Sequence, residues 1–301
     1  MARLIELAQG VITATERWAA LDRVAAPLSR WVGTLTARTP IKNALSGSWL
    51  GHQLHPVLTD VPIGSWAAAT VLDLSAGAQG ASAARRLVAL GVLASVPTAA
   101  AGASDWADTQ GATRRVGMLH AVANSSATAL QLASWLARRA GNRELGVRLS
   151  ALALGVTVSA AYLGGHLSLV RGVGVNHTAF QEPTSEWTDV AAESDLKDAT
   201  PLRVWAGDVP VVLVKQQGTV RALSAVCTHA GGPLDEGTLD DRGCLKCPWH
   251  GSEFRLSDGA VERGPATVPE PSWSVKIDAG RVSVRPSARP LRLRRSAEAL
   301  P

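Results

Sequence analysis

Cysteine is scarce in this 301-residue chain: three residues, too few for a disulfide scaffold. Tyr occurs once and Phe twice, so no base-stacking platform is present, and no nucleic-acid partner is expected despite a net charge of +5. Charged side chains make up 18% of the sequence, below the roughly 25% usual in soluble domains. Together with 46% hydrophobic residues, that deficit excludes disorder and points to a lipid-embedded part. The aromatic content is concentrated in ten Trp, a residue suited to membrane interfaces. The basic excess then concerns lipid head groups or topology. Length alone suggests about two domains.

The composition is uneven along the chain. Residues 1–50 read as an amphipathic helical region, with Trp18, Leu21, Val24, Leu28, Trp31 and Leu35 on one helical face and Arg17, Arg23, Arg30 and Arg38 largely off it. Such a helix either lies on a membrane surface or packs on the rest of the protein. No signal-peptide pattern is seen at the start. Residues 51–170 hold four apolar stretches, roughly 57–75, 87–104, 116–137 and 149–170. Each is close to the ~20 residues a helix needs to cross a bilayer. The first carries Asp60, Pro62 and Asp73. Ala, Gly and Ser are abundant in all four, as close helix packing in lipid requires, and short Arg-bearing segments join them. The expected fold there is an all-α four-helix transmembrane bundle, with a soluble helical domain as the alternative.

Residues 171–186 read as a linker and 187–288 as an all-β domain, with strands in VPVVLVKQ, TVRALSAV, SWSVKID and RVSVRPS. Residues 289–301 read as a basic tail.

Two clusters in the β region carry chemistry. Cys227-Thr228-His229-Ala230-Gly231-Gly232-Pro233-Leu234 and Cys247-Pro248-Trp249-His250-Gly251-Ser252-Glu253-Phe254 form C-x-H, seventeen residues, then C-x-x-H. By spacing alone, either a Cys2His2 zinc site or a [2Fe–2S] centre with mixed ligation is open. The segment 187–284 resembles the Rieske ferredoxin family in both boxes, in Gly264-Pro265-Ala266-Thr267 and in the flanking strands. That resemblance implies that Cys227 and Cys247 bind one iron and His229 and His250 the other. It places Gly231, Trp249, Ser252 and Pro265 around the cluster. Respiratory members carry an extra cysteine in each box, forming a disulfide; here those positions are Gly232 and Trp249. Cys244 lies outside the ligand pattern and reads as a buried strand residue. High-potential members place Ser and Tyr hydroxyls near the cluster. Ser252 keeps the first and Phe254 replaces the second, which implies an intermediate potential within about −150 to +300 mV.

The other histidines, His52, His55, His120, His166 and His177, all lie between residues 52 and 177. In an up-down bundle His55, His120 and His166 share one membrane face with Asp105 and Trp106. They are the candidates for a b-type haem or another redox site, with a hydrogen-bonded polar cluster as the alternative; His52 and His177 stand further from that arrangement. The segment from His52 to Gly64, with DWAD and RRVGMLHAVAN, resembles a bacterial four-helix membrane family that brings no chemistry with it.

Arg residues are too evenly divided between the two faces to fix sidedness. A cytoplasmic Rieske domain on a multi-pass bacterial membrane protein is expected, since clusters are inserted in the cytoplasm and no twin-arginine export signal is seen. A Rieske oxygenase would need a further 2-His-1-carboxylate iron domain, and the residues after His250 leave no room for one. No phosphate-binding loop is present. The expected function is single-electron transfer between a membrane-associated donor and a redox partner protein, a reductase or an acceptor. The alternatives are a quinone- or haem-linked membrane oxidoreductase and a redox sensor or assembly factor.

Overall fold

Seven helices precede the β region in the computed structural model, which describes residues 2–287. They are α1 (Ala2–Arg17), α2 (Asp22–Leu35), α3 (Thr39–Ser46), α4 (Leu54–Ser75), α5 (Ala81–Ala107), α6 (Gly111–Arg139) and α7 (Arg143–Gly165). The expected basic tail, 289–301, lies outside the described residues. Two units result: Met1–Ala37 with Leu54–Val173, and Arg38–Gln53 with Gly174 onward.

In the helical unit α4 packs on α5 and α6 on α7. The buried positions of α7 are Gly146, Ser150, Ala153, Thr157, Ala160 and Leu163, almost all small, at spacings of three and four. The large apolar side chains face outward instead: Leu93 and Val96 on α5 are 71% and 67% exposed, and Leu152 and Val158 on α7 are similarly exposed. Small residues inside and large apolar residues outside is the arrangement expected where the surrounding solvent is lipid. Glycines sit where bulky rings cross. A Cβ on Gly91 would stand 2.2 Å from Trp66 Nε1, and one on Gly117 2.5 Å from Trp106 Cδ1.

Three helices, Leu54–Ser75, Ala81–Ala107 and Arg143–Val170, are long and apolar enough to cross a membrane. The third expected stretch forms the 29-residue α6 but is more polar, and its buried positions include Gln131, Ser134 and Arg138. That polarity is answered internally. Arg138 makes a bidentate pair with Asp73, Nη1 to Oδ1 at 2.9 Å, with both side chains almost fully buried. Arg143 reaches the same carboxylate at 3.3 Å. Charges removed from water persist only when paired in this way.

The second unit contains α3 and ten strands: β1 (Thr188–Ala192), β2 (Leu202–Ala206), β3 (Val209–Gln216), β4 (Thr219–Ser224), β5 (Thr238–Leu239), β6 (Cys244–Lys246), β7 (Glu253–Arg255), β8 (Val261–Arg263), β9 (Ser272–Asp278) and β10 (Arg281–Pro286). One sheet has the order β1-β10-β9-β4-β3-β2, the other β5-β6-β7-β8. β3 shows why the unit holds together. Its side chains alternate, Val211 and Leu213 packing with Trp273, Val282 and Val284, and Val212 and Val214 with Leu223, Leu245 and Phe254. The β3–β4 and β9–β10 hairpins turn on Gln217-Gly218 and Ala279-Gly280, all four at positive φ, the geometry tight hairpins require.

Candidate metal centre

The two boxes fold as twin loops. In the first, Cys227 N–H donates to Gly232 O (2.8 Å) and Gly231 N–H donates to Cys227 O (2.9 Å). In the second, Cys247 N–H donates to Ser252 O (2.8 Å) and Gly251 N–H to Cys247 O (3.1 Å). Gly231 and Gly251 take the same left-handed conformation, φ 76° and 70°, which an L side chain rarely adopts. Each loop thereby presents one thiol and one imidazole.

The four donors stand as two like pairs. The Cys227 and Cys247 thiols hydrogen-bond to each other, and the His229 and His250 rings lie 5.0 Å apart between centroids, crossed at 84°. Among the described residues no three His, Cys, Asp or Glu side chains are grouped as a single metal ion needs. The pairing of like donors, thiol with thiol and imidazole with imidazole, fits a two-metal group spanning both pairs. Room is kept at the thiol end, where a Cβ on Gly232 would stand 2.9 Å from Cys247 Sγ. The electrostatics suit ligation. The bond to Cys227 brings the Cys247 thiol down to about 7, and that same bond pushes Cys227 up. Burial, with His250, Lys42 and His177 nearby, pushes His229 down to about 3, so its imidazole is a neutral donor.

Residues 186–277 match the family described as Rieske [2Fe-2S] domain, and residues 51–177 the family described as predicted membrane protein (DUF2231). The ferredoxin component of the alkene monooxygenase system of Xanthobacter autotrophicus (strain ATCC BAA-1158 / Py2) is 34% identical over 99 residues, 33% of this chain and 80% of that protein. The chain belongs to the Rieske [2Fe-2S] family. Apoptosis-inducing factor 3 of Mus musculus is 37% identical over 106 residues, 35% of this chain; the match spans only 17% of that protein's length. Among solved structures, the ferredoxin of carbazole 1,9a-dioxygenase from Nocardioides aromaticivorans IC177 is 28% identical and covers 34% of this chain and 100% of its own, at a TM-score of 0.33. A Rieske domain implies a [2Fe–2S] cluster.

Around the Rieske loops, Ser252 is fully buried and its Oγ accepts from Ala266 N–H at 2.9 Å, tying the second box to the segment that follows Pro265. Trp249 is half exposed, its ring 6.3 Å from that of His250. Phe254 is fully buried in the core beneath the loops. Cys244 is buried in β6, where burial raises its thiol to about 11; it takes no part in the site.

Several residues at this site escaped the sequence reading. Thr228, between the two ligand candidates of the first box, donates its N–H to Glu270 Oε2 (3.0 Å) and its hydroxyl to Val268 O (2.9 Å). Asn43 of α3 accepts from Gly264 N–H (2.8 Å) and donates to Glu262 O (3.0 Å), fixing the segment that leads into Pro265. His177, considered above among the membrane histidines, belongs here: its N–H donates to Thr228 O (3.2 Å) and its ring lies beside Gly231. The expected linker also packs on the domain, where Ser224 Oγ donates to Gln181 Oε1 at 2.9 Å.

The helical unit brings together two of its three histidine candidates. His55 and His120 rings stand 6.3 Å apart between centroids. His166 does not join them; its Nε2 faces Glu16 Oε1 at 3.4 Å, where Arg171 also pairs with Glu16.

Proposed function

We propose that this chain is a membrane-anchored Rieske protein carrying single electrons between a membrane-associated donor and a redox partner protein. The observation that carries the reading is the pairing of donors, thiol with thiol and imidazole with imidazole, on twin loops. In it Cys227 and Cys247 hold one iron and His229 and His250 the other. When bound, such a cluster supplies a reversible one-electron change. The chain's own residues hold and tune it. Gly231 and Gly232 let the first loop close, and Pro265 lies on the covering segment. Ser252 has its oxygen engaged by Ala266, which leaves the hydroxyl hydrogen to offer to a cluster sulfur. Trp249, exposed beside His250, supports electron exchange with the partner along that edge.

The alkene monooxygenase relative is a ferredoxin component, which supports a carrier role with a reductase or an acceptor as partner. Membrane lipid is a second partner. α2 buries only Ala25 and Ser29, whereas Val24, Leu28, Trp31 and Leu35 face outward, which supports a helix lying in the interface. In this reading the Rieske domain lies on the cytoplasmic side of a bacterial cell membrane, where iron–sulfur clusters are inserted. Protease accessibility in inside-out against right-side-out vesicles tests that side.

Anaerobic redox titration of the full chain in detergent tests the carrier reading. One-electron behaviour with a midpoint within about −150 to +300 mV is expected. A two-electron wave, or no titrating chromophore in iron-replete protein, overturns it.

A second reading, an oxidoreductase with a further redox group in the helical unit, is favoured by one observation, the meeting of His55 and His120.

A further inference from the structure

We infer that His55 and His120 are the two axial ligands of a b-type haem held within the helical unit. This rests on the second reading above for its use, but its evidence is separate from the Rieske site.

Each imidazole has its tautomer set by the backbone. His55 Nδ1 lies 2.9 Å from Thr98 O on α5, and His120 Nδ1 lies 2.9 Å from Ala160 O on α7. A carbonyl oxygen only accepts, so both Nδ1 atoms carry the proton and both neutral rings keep their lone pair on Nε2. The Asn124 amide nitrogen donates to His120 O at 3.0 Å and lies 3.4 Å and 3.2 Å from Nδ1 and Nε2 of that ring, so it fixes neither nitrogen. Nδ1–H held by a backbone carbonyl, with the lone pair on Nε2, is the arrangement that metal-ligating histidines adopt. All four long helices contribute, α4 and α6 the rings, α5 and α7 the carbonyls.

Space for the rings is kept by glycine. A Cβ on Gly102 would stand 2.7 Å from His55 Nδ1, and one on Gly164 3.1 Å from His120 Cε1.

The separation of the two rings is compatible with a metal held between opposed imidazoles. A metal–nitrogen bond of about 2.0–2.1 Å, with the ring centre about 1.1 Å beyond, puts two opposed imidazoles roughly 6.3 Å apart and two tetrahedral ones roughly 5.2 Å apart. The His55–His120 pair measures 6.3 Å, whereas the His229–His250 pair in the same chain measures 5.0 Å. Opposed ligation by two imidazoles needs further ligands in the plane between them. Among the described residues no third His, Cys, Asp or Glu forms a metal-holding group with the pair. A haem brings its own four equatorial nitrogens, so two histidines suffice.

The test uses the full chain, purified in detergent from cells supplied with iron and a haem precursor, and read by Soret absorbance, pyridine haemochrome and EPR. The expected result is about one low-spin haem per chain. His55→Ala and His120→Ala each lower haem content by tenfold or more, with the Rieske EPR signal kept at full intensity, and His166→Ala keeps the haem. In His120→Gly, free imidazole restores the Soret band, which a loss through misfolding would not allow. Protein that shows the Rieske signal but no Soret band overturns the inference, as does haem that survives both alanine variants. Failure of the carrier reading is distinct: haem present with no Rieske signal.

Discussion

Ser252 makes a bond that can be removed with two separable effects. Ser252→Ala deletes the acceptor for the Ala266 N–H, which costs about 1–3 kcal/mol of stability. It also deletes the donor available to the cluster, and the midpoint should fall by on the order of 50–100 mV. Titration of the variant against the parent checks this. Lys42, buried beside His229, acts in the same direction, since a positive charge favours the more negative reduced state; Lys42→Met should also lower the midpoint. Glu270 supplies the pH dependence. It is fully buried, and burial pushes its carboxyl well above the usual carboxylate range. The folded state therefore holds a proton that the unfolded chain releases, so stability is full in acid and declines as pH rises above about 4.5. Glu270→Gln should flatten that decline, read as the temperature at which visible absorbance is lost between pH 5.5 and 8. Both boxes were legible as residues because Cys and His are rare and their spacing is restrictive. Lys42, His177 and Glu270 were not, because they reach the site through the fold from segments that carry no motif.

Element by element, legibility followed length and periodicity. β3, β4, β9 and β10, of six to eight residues, coincide with the strands expected from alternating apolar residues. β5 to β8, of two or three residues, are too short to show a period, yet β6 and β7 flank the second box. The eight-residue α3 falls within a region read as one amphipathic stretch, and residues 38–53 instead belong with the Rieske domain. Asn43→Ala removes both bonds to the segment before Pro265 and should speed loss of the cluster to a chelator, measured as visible bleaching. Gly232→Ala would crowd Cys247 Sγ and should lower iron content several-fold.

Over the whole molecule, low charge and high hydrophobicity announced the lipid-facing helices, but composition does not report which polar residues face inward. Asp73 looked like a flaw in the first apolar stretch and proves to be the partner of Arg138 on α6. Asp73→Ala should destabilise the helical unit by about 3–5 kcal/mol by leaving Arg138 buried and unpaired. Asp73→Ala with Arg138→Leu should recover part of that loss, with thermal melting in detergent as the check.

The central claim is mixed Cys and His ligation of a [2Fe–2S] cluster. EPR of the reduced full chain tests it most directly. The expected signal has an average g clearly below that of all-cysteine plant-type ferredoxins and is abolished by His229→Ala or His250→Ala. An average g equal to theirs, or a signal indifferent to both substitutions, would contradict it.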